Sequence, residues 1–480
     1  MLPSYFDESV LACGTTSAIC DPHEITNVMG LKGLEYFLKA SENSTMNLKV
    51  MLSSCVPATH LETNGAGHIE VSKLKKYKNH PHVLGLAEMM NVPGVLNKDP
   101  KILAKISEFQ NTNIDGHSPL LRSHELSAYI GAGITSCHES SELEEAKEKI
   151  SKGMSVWIRE GSVAKDLREL HPLLQSANSP FIGFCTDDRN PKDIANEGHI
   201  DYLIRKSIEY GIDAATVFRS ASWSVARHYG LDKGPLRIGA IAPGYVADLV
   251  LLNDIQSCSI HSVYKSGEWI QKVVSEKKSN TMRFPDTMHA SVPQEKDLMT
   301  SHGNVNVIGL IEGKIITEHF VMNSKTKGVQ MISVLERHHG KLKPSNGYVF
   351  GFGECLNGAI ASSVGHDSHN LIVVGSNPRD MRVALAALIE SGGGFCVSSQ
   401  NKILAKLDLP FAGLMCNESP KQIKQSLNKL HSAAQSIGCE LSEPFLQLAF
   451  LSLPVIPALK ITDKGLVDVK SFQFIPVLAS

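Results

Sequence analysis

Short apolar runs that end in titratable residues recur along the first half of this 480-residue chain, and they restrict its fold more than any other feature. They span residues 14–21, 48–55, 83–88, 113–117, 134–138, 155–158 and 181–187. Each is bounded by turn residues and is close to continuously apolar, as strands covered on both faces are. Amphipathic helical segments lie between them. In one, residues 141–150, Ser141 and Glu144 are spaced as a capping box, Glu145 and Lys149 as an i,i+4 pair, and Gly153 follows as a stop. The runs begin about every 20 to 36 residues, a spacing suited to βα units. A (β/α)8 barrel needs eight such strands and only seven are found, so an α/β fold with an incomplete barrel is predicted, the missing strand being the first.

The pattern changes further on. Helices are predicted over 198–210 and 214–229, completing a barrel unit of residues 1–230. Residues 231–275 read as the remnant of a small β-sandwich, with strands within 238–252 and 260–270. Residues 276–303 are polar and without period, and are expected to be a linker or mobile loop. Residues 304–480 read as a second α/β domain. It has a hairpin over 305–321, strands at 331–337, 348–351 and 370–375, and helices at 378–391 and 420–438.

Composition excludes several classes. A net charge of −2 leaves no basic footprint for nucleic acid or an anionic membrane surface. No window reaches the roughly 18 to 20 apolar residues of a membrane span, and the first residues do not resemble a signal peptide. The ten cysteines form no CxxC pair and read as buried small hydrophobes, which places the chain in a reducing cytoplasm.

Four of the runs end at potential metal ligands, Glu88, His117, His138 and Asp187. In a parallel sheet the carboxyl ends of the strands share one side, so these groups converge there. Imidazoles and carboxylates together suit a divalent metal and metal-assisted hydrolysis. The plainer readings are a salt-bridged strand end for Glu88, hydrogen-bonded core residues for the histidines and a structural carboxylate for Asp187. Asp21, His23 and Glu24 end the first run and serve either a substrate pocket or a helix-capping turn. His366 and His369 of the second domain either close that pocket or lie on the surface. Gly351, Gly353 and the 392–394 run are explained by turns and not by a nucleotide loop.

The chain resembles the bacterial-type adenine deaminases of the amidohydrolase superfamily. The resemblance rests on Gly14-Thr-Thr, Asp21-Pro-His-Glu, the stretch Gly85-Leu-Ala-Glu-Met-Met-Asn-Val-Pro-Gly, Asp115-Gly-His-Ser-Pro, Cys137-His-Glu and Cys185-Thr-Asp-Asp-Arg. In the second half it rests on Glu336-Arg-His-His-Gly, His366-Asp-Ser-His-Asn, Leu453-Pro-Val-Ile-Pro and Thr462-Asp-Lys-Gly. It implies hydrolysis of adenine to hypoxanthine and ammonia by a metal-activated water, in cytoplasmic purine salvage, by a homo-oligomer. It also implies two divalent ions, manganese first and iron or zinc otherwise. Glu88 would bridge them, His117 and His138 would hold one, and Asp187 would touch the other and shuttle protons. Asp188 would sit at the pocket. The family's barrel starts with a strand ending in His-x-His, and that pair has no counterpart here. One ion instead of two is therefore an open expectation. So is a truncated, inactive protein with a folding or partner-binding role, and so is a complete enzyme whose recorded start lies inside its reading frame.

Overall fold

The computed structural model describes residues 1–271, 284–340 and 343–479. Seven parallel strands form its first part: β1 (Ser17–Cys20), β2 (Asn47–Leu52), β3 (Val83–Met89), β4 (Asn113–Gly116), β5 (Ser136–Cys137), β6 (Ser155–Arg159) and β7 (Ile182–Cys185). They pair as β1-β2-β3-β4 and β5-β6-β7. Thr135 joins the two sets, donating its N–H to Ile114 at 2.9 Å and accepting from Ser155 N–H at 2.9 Å. No pairing of β7 with β1 occurs among the described residues, so the curled sheet stays open there. The incomplete barrel is thus present as seven strands. Its helical layer packs Leu34, Phe109 and Tyr129 onto Val50, Leu86 and Ile114. Burying each such side chain contributes about 1.5–3 kcal/mol.

Two local expectations fail. Ser141 does not cap the following helix, Leu143–Ser151, which starts without any side-chain cap. Its backbone N–H instead reaches Glu145 at 3.4 Å. The Glu145–Lys149 pair forms at 2.6 Å, but both side chains are fully buried and do not face solvent. The helix expected over 214–229 is two, Ala214–Ala221 and Trp223–His228, because Ser222 leaves the helical region at φ −135° and ψ −82°.

The small sheet is β8 (Leu249–Asp254), β9 (Ser259–Lys265) and β10 (Glu268–Trp269), all antiparallel. Residues 238–248, expected to contribute strand, form turns instead, with Gly239 and Gly244 at φ 100° and 84°. Of the expected linker, 276–283 lie outside the described residues. The remainder is packed and not free. Phe284 stacks on Phe411 at 4.9 Å, Met288, Ala290 and Leu298 are buried, and a capping box of Gln294 and Asp297 starts a short turn at Glu295–Leu298.

The second part is an eight-stranded sheet of β11 (Asn304–Leu310), β12 (Thr317–Asn323), β13 (Val329–Leu335), β14 (Ser345–Phe350), β15 (Ala359–Ser362), β16 (Leu371–Gly375), β17 (Gly394–Ser399) and β18 (Lys402–Asp408). The order is β12-β11-β14-β13-β16-β15-β17-β18, antiparallel except between β11 and β14. Both faces are covered. Ile360, Ile372 and Val374 pack with helix Pro420–Ser436, and the alternate residues Ala359, Ala361, Leu371 and Val373 with helix Pro378–Glu390. A further three-stranded sheet, β19 (Leu459–Thr462), β20 (Gly465–Asp468) and β21 (Gln473–Ile475), completes the chain.

The two parts meet along a polar seam. Asn370 donates to Thr63 O at 2.8 Å, Asp463 accepts from Thr63 N–H at 2.9 Å, and Thr462 donates to Leu61 O at 2.7 Å. Lys192 pairs with Glu443 at 2.9 Å. That seam brings the loop carrying His366 and His369 over the carboxyl ends of the barrel strands.

Candidate metal centre

Glu88 stands near the end of β3 and is the hub of the site. Its Oε2 lies 2.8 Å from Nδ1 of His117 and 3.2 Å from Nε2 of His138. Its Oε1 faces Nδ1 of His23 at 3.5 Å. His117 follows Gly116, where a Cβ would lie 2.5 Å from Ser136 O, so a larger residue would push β4 off the next strand and move the ligand. Burial opposes ionisation of Glu88, yet His138 and His117 together hold its carboxyl well below the usual range. The same contacts, led by Glu88, outweigh burial and carry His138 up to about 10. A charged imidazole and a metal-bound one are alternative ways of meeting such a carboxylate. Nε2 of His117 is buried without a hydrogen-bond partner, as a ligand atom awaiting an ion would be. Glu88, His117 and His138 offer ligand atoms within 4.8 Å of one another, so the residues fit a divalent ion.

Asp187, just beyond β7, belongs to a second such group with His138 and Glu139. It adopts φ 49°, a left-handed conformation that non-glycine residues seldom take outside turns and sites. Arg159 at the end of β6 holds it, with Nη1 2.8 Å from Oδ2. Nη2 of Arg159 reaches Glu139 at 2.8 Å and Asp166 at 3.4 Å. Burial pushes the Asp187 carboxyl up, but Arg159 and then His138 bring it below its ordinary value.

Asp21, His23 and Glu24 lie on the other side of Glu88. Asp21 Oδ2 is 2.9 Å from Nδ1 of His23, and Asp21, His23, Cys55 and Glu88 form a further group of mutually close ligand atoms. His366 of the second domain approaches Glu24 at 2.8 Å and Asp188 at 3.4 Å, and His369 abuts the same Glu24 carboxylate. Burial moves Asp188 up to about 7 and His369 down to about 3. His366 and His369 are 5% and 0% exposed, so neither is a surface residue.

With this geometry established, similarity to known proteins decides the family. A family model, "Amidohydrolase family", matches residues 2–270, and a second, "Adenine deaminase C-terminal domain", matches residues 310–473. The chain is 47% identical to the adenine deaminase of Bdellovibrio bacteriovorus over 99% of its own length and 83% of that protein. It is 46% identical to adenine deaminase 1 of Rhizobium meliloti (98% and 85% covered) and 45% to the adenine deaminase of Brucella abortus (98% and 83%). The chain belongs to the adenine deaminase family.

Membership of that family implies an enzyme that uses a divalent metal, and the His-carboxylate groups described above are candidates to hold it. All ten residues singled out in the sequence converge at the mouth of the barrel. Three others were missed. Arg159 is the charged terminus of a fully buried strand whose centre, Val156-Trp157-Ile158, is apolar, which is the signal that could have found it. Glu139, 5% exposed, lies 3.8 Å from both His117 and His138 and directly follows His138. Asp367, 1% exposed, sits between His366 and His369 and approaches His23 at 3.7 Å. All ten cysteines are free. No helix of the described residues is long and apolar enough to cross a membrane.

Proposed function

We propose that this chain hydrolyses adenine to hypoxanthine and ammonia, with Glu88, His117, His138 and Asp187 as its metal-binding and proton-handling residues. The observation that carries the site is the convergence of two imidazoles on one oxygen of the buried Glu88 carboxylate. The substrate comes from the adenine deaminases to which the chain is 45–47% identical. When bound, a divalent ion, manganese first and iron or zinc next, would lower the pKa of a bound water to near neutrality and polarise the purine ring. Glu88 places one oxygen toward His117 and His138 and the other toward His23, an arrangement suited to bridging two ligand groups.

Asp187 is the base. Its lowered carboxyl is ionised at neutral pH, and it can accept a proton from the attacking water as oxygen adds to C6. The same carboxyl then gives that proton to the ring nitrogen beside C6, and the second proton, from the added hydroxyl, passes to the amine as the C6–N bond breaks, so ammonia leaves and the carbonyl of hypoxanthine forms. Asp21 and His23, nearest Glu88, face the purine, whose edge alternates acceptors and donors. Glu24, Asp188, His366 and His369 stand one step further out and frame the pocket from both halves of the chain.

Ammonia release from adenine by the chain purified in Mn(II) tests this reading. Steady release that vanishes in His117→Asn and Asp187→Asn is the expected result. No release at saturating metal would overturn it and favour a folded partner-binding protein without turnover. Oligomeric state, which we take to be a homo-oligomer, is read by light scattering on the same sample.

A further inference from the structure

The cluster that frames the pocket has more ligand character than a purine edge requires. Ligand atoms of Glu24, Asp188 and His366 lie within 4.8 Å of one another, as do those of His23, Glu24 and Asp367. Two carboxylates, Asp188 and Asp367, and two imidazoles, His23 and His366, from three chain segments thus meet around a third carboxylate, Glu24. The first two of these segments belong to the barrel and the third to the second domain. Two buried atoms of this cluster are left without hydrogen bonds. Nδ1 of His369 and Oδ2 of Asp367 have no hydrogen-bond partner, and His369 and Asp367 are 0% and 1% exposed. Buried polar atoms almost always find partners, and those that do not call for a missing ion or water.

The backbone around the cluster is fixed for a purpose of this kind. His366 donates its N–H to Ala449 O at 3.1 Å and accepts from the Ser452 hydroxyl at 3.2 Å, and its ring stacks on Phe450 at 4.6 Å. The buried Arg337 donates to the carbonyl of His369, and His369 itself adopts φ 53°. The loop therefore presents its imidazoles in set positions, which is how outer contacts orient metal ligands.

We propose that Glu24, Asp188 and His366, with His369 and Asp367 beside them, bind a divalent cation separate from the one held by Glu88, His117 and His138. Mixed imidazole and carboxylate ligands suit zinc, iron or manganese better than calcium or magnesium. The ion joins the second domain to the barrel and sets the outer wall of the pocket. Nothing in this inference depends on adenine being the substrate.

Metal content after dialysis against Zn(II) or Mn(II) tests it, in the parent, Glu24→Gln, His366→Asn, His117→Asn and the His117→Asn/His366→Asn double variant. Glu24→Gln and His366→Asn should each lose one equivalent, His117→Asn should lose a different one, and the double variant should lose both. Parent-level metal in Glu24→Gln and His366→Asn would reduce the cluster to an ion-paired network and overturn the proposal. Because a variant could fail to fold, crystals of the unchanged chain grown with Zn(II) give a second measurement. An anomalous peak about 2.0–2.2 Å from Glu24, Asp188 and His366 supports the site, and its absence, with a peak at Glu88, refutes it. Ammonia release is followed separately, so failure of the cation site and failure of the proposed activity are distinguishable.

Discussion

At the scale of single residues, Asp187 and Arg159 form a base and its positioning partner. Asp187→Asn keeps the shape but cannot take a proton and is a weaker metal ligand, so kcat should fall by at least about 10²–10⁴-fold. Steady-state kinetics with adenine would show it. Arg159 touches Asp187 and Glu139 and is placed to act through them. Since burial opposes the low carboxyl of Asp187 and Arg159 leads the groups that enforce it, Arg159→Met should raise that value. The acid limb of the kcat/KM pH profile should then move to higher pH. An unchanged limb would mean that another group titrates there.

At the scale of elements, buried charges brace the strand ends that carry the ligands. Lys149 donates to Ser118 O at 2.9 Å, to the Ser140 hydroxyl at 3.0 Å and to Glu145 at 2.6 Å. These bonds tie the loops after β4 and β5, which bear His117 and His138, to one helix. Lys149→Met leaves Glu145 buried and unpaired, at a cost of about 3–5 kcal/mol, measurable by denaturant titration. Glu160, just after β6, is carried by burial up to about 7 from an ordinary 4.5. The folded chain therefore keeps this proton over a range where the unfolded chain has lost it, and stability falls as pH rises from 4.5 to 7. Gln at this position can still accept from Leu167 N–H, the bond Glu160 makes at 3.1 Å. Glu160→Gln should remove that decline and be more stable above pH 7 by an amount on the order of 3 kcal/mol, seen as a higher melting temperature at pH 8 but not at pH 4.

At the scale of the whole molecule, the seam makes the two parts depend on each other. Asp463, 4% exposed, accepts from both Thr63 and Asn370. Asp463→Ala should cost about 1–3 kcal/mol and also lower activity, because Asn370 ends the loop that bears His366 and His369. Metal binding to the folded chain adds stability by mass action, about 2.7 kcal/mol at a free concentration a hundredfold above Kd. Chelation should therefore lower the melting temperature and abolish ammonia release together, and restored metal should recover both.

The barrel strands were legible because strands covered on both faces must be apolar throughout, and each polar terminus then marks a strand end. Glu88, His117, His138 and Asp187 were found in that way. In the second domain β15, β17, β18 and the small sheet β19–β21 were missed. β17 begins inside the glycine run read as a turn, and β18 is an edge strand whose apolar Ile403 and Leu404 are exposed, so it does not follow the alternation of a half-buried strand. The failed cap at Ser141 and the break at Ser222 have a similar origin, since local propensity is weak against tertiary packing.

What the amino-acid sequence determined by itself was therefore local and periodic: the order of the barrel strands, the residue types at their ends and, through resemblance, the family. What only the tertiary structure decided was which distant groups meet. The capture of Asp187 and Glu139 by Arg159, and the closing of Glu24 and Asp188 by His366, join segments far apart in the chain. No period or spacing records such contacts, because they arise from how the sheet curls and how the second domain docks upon it.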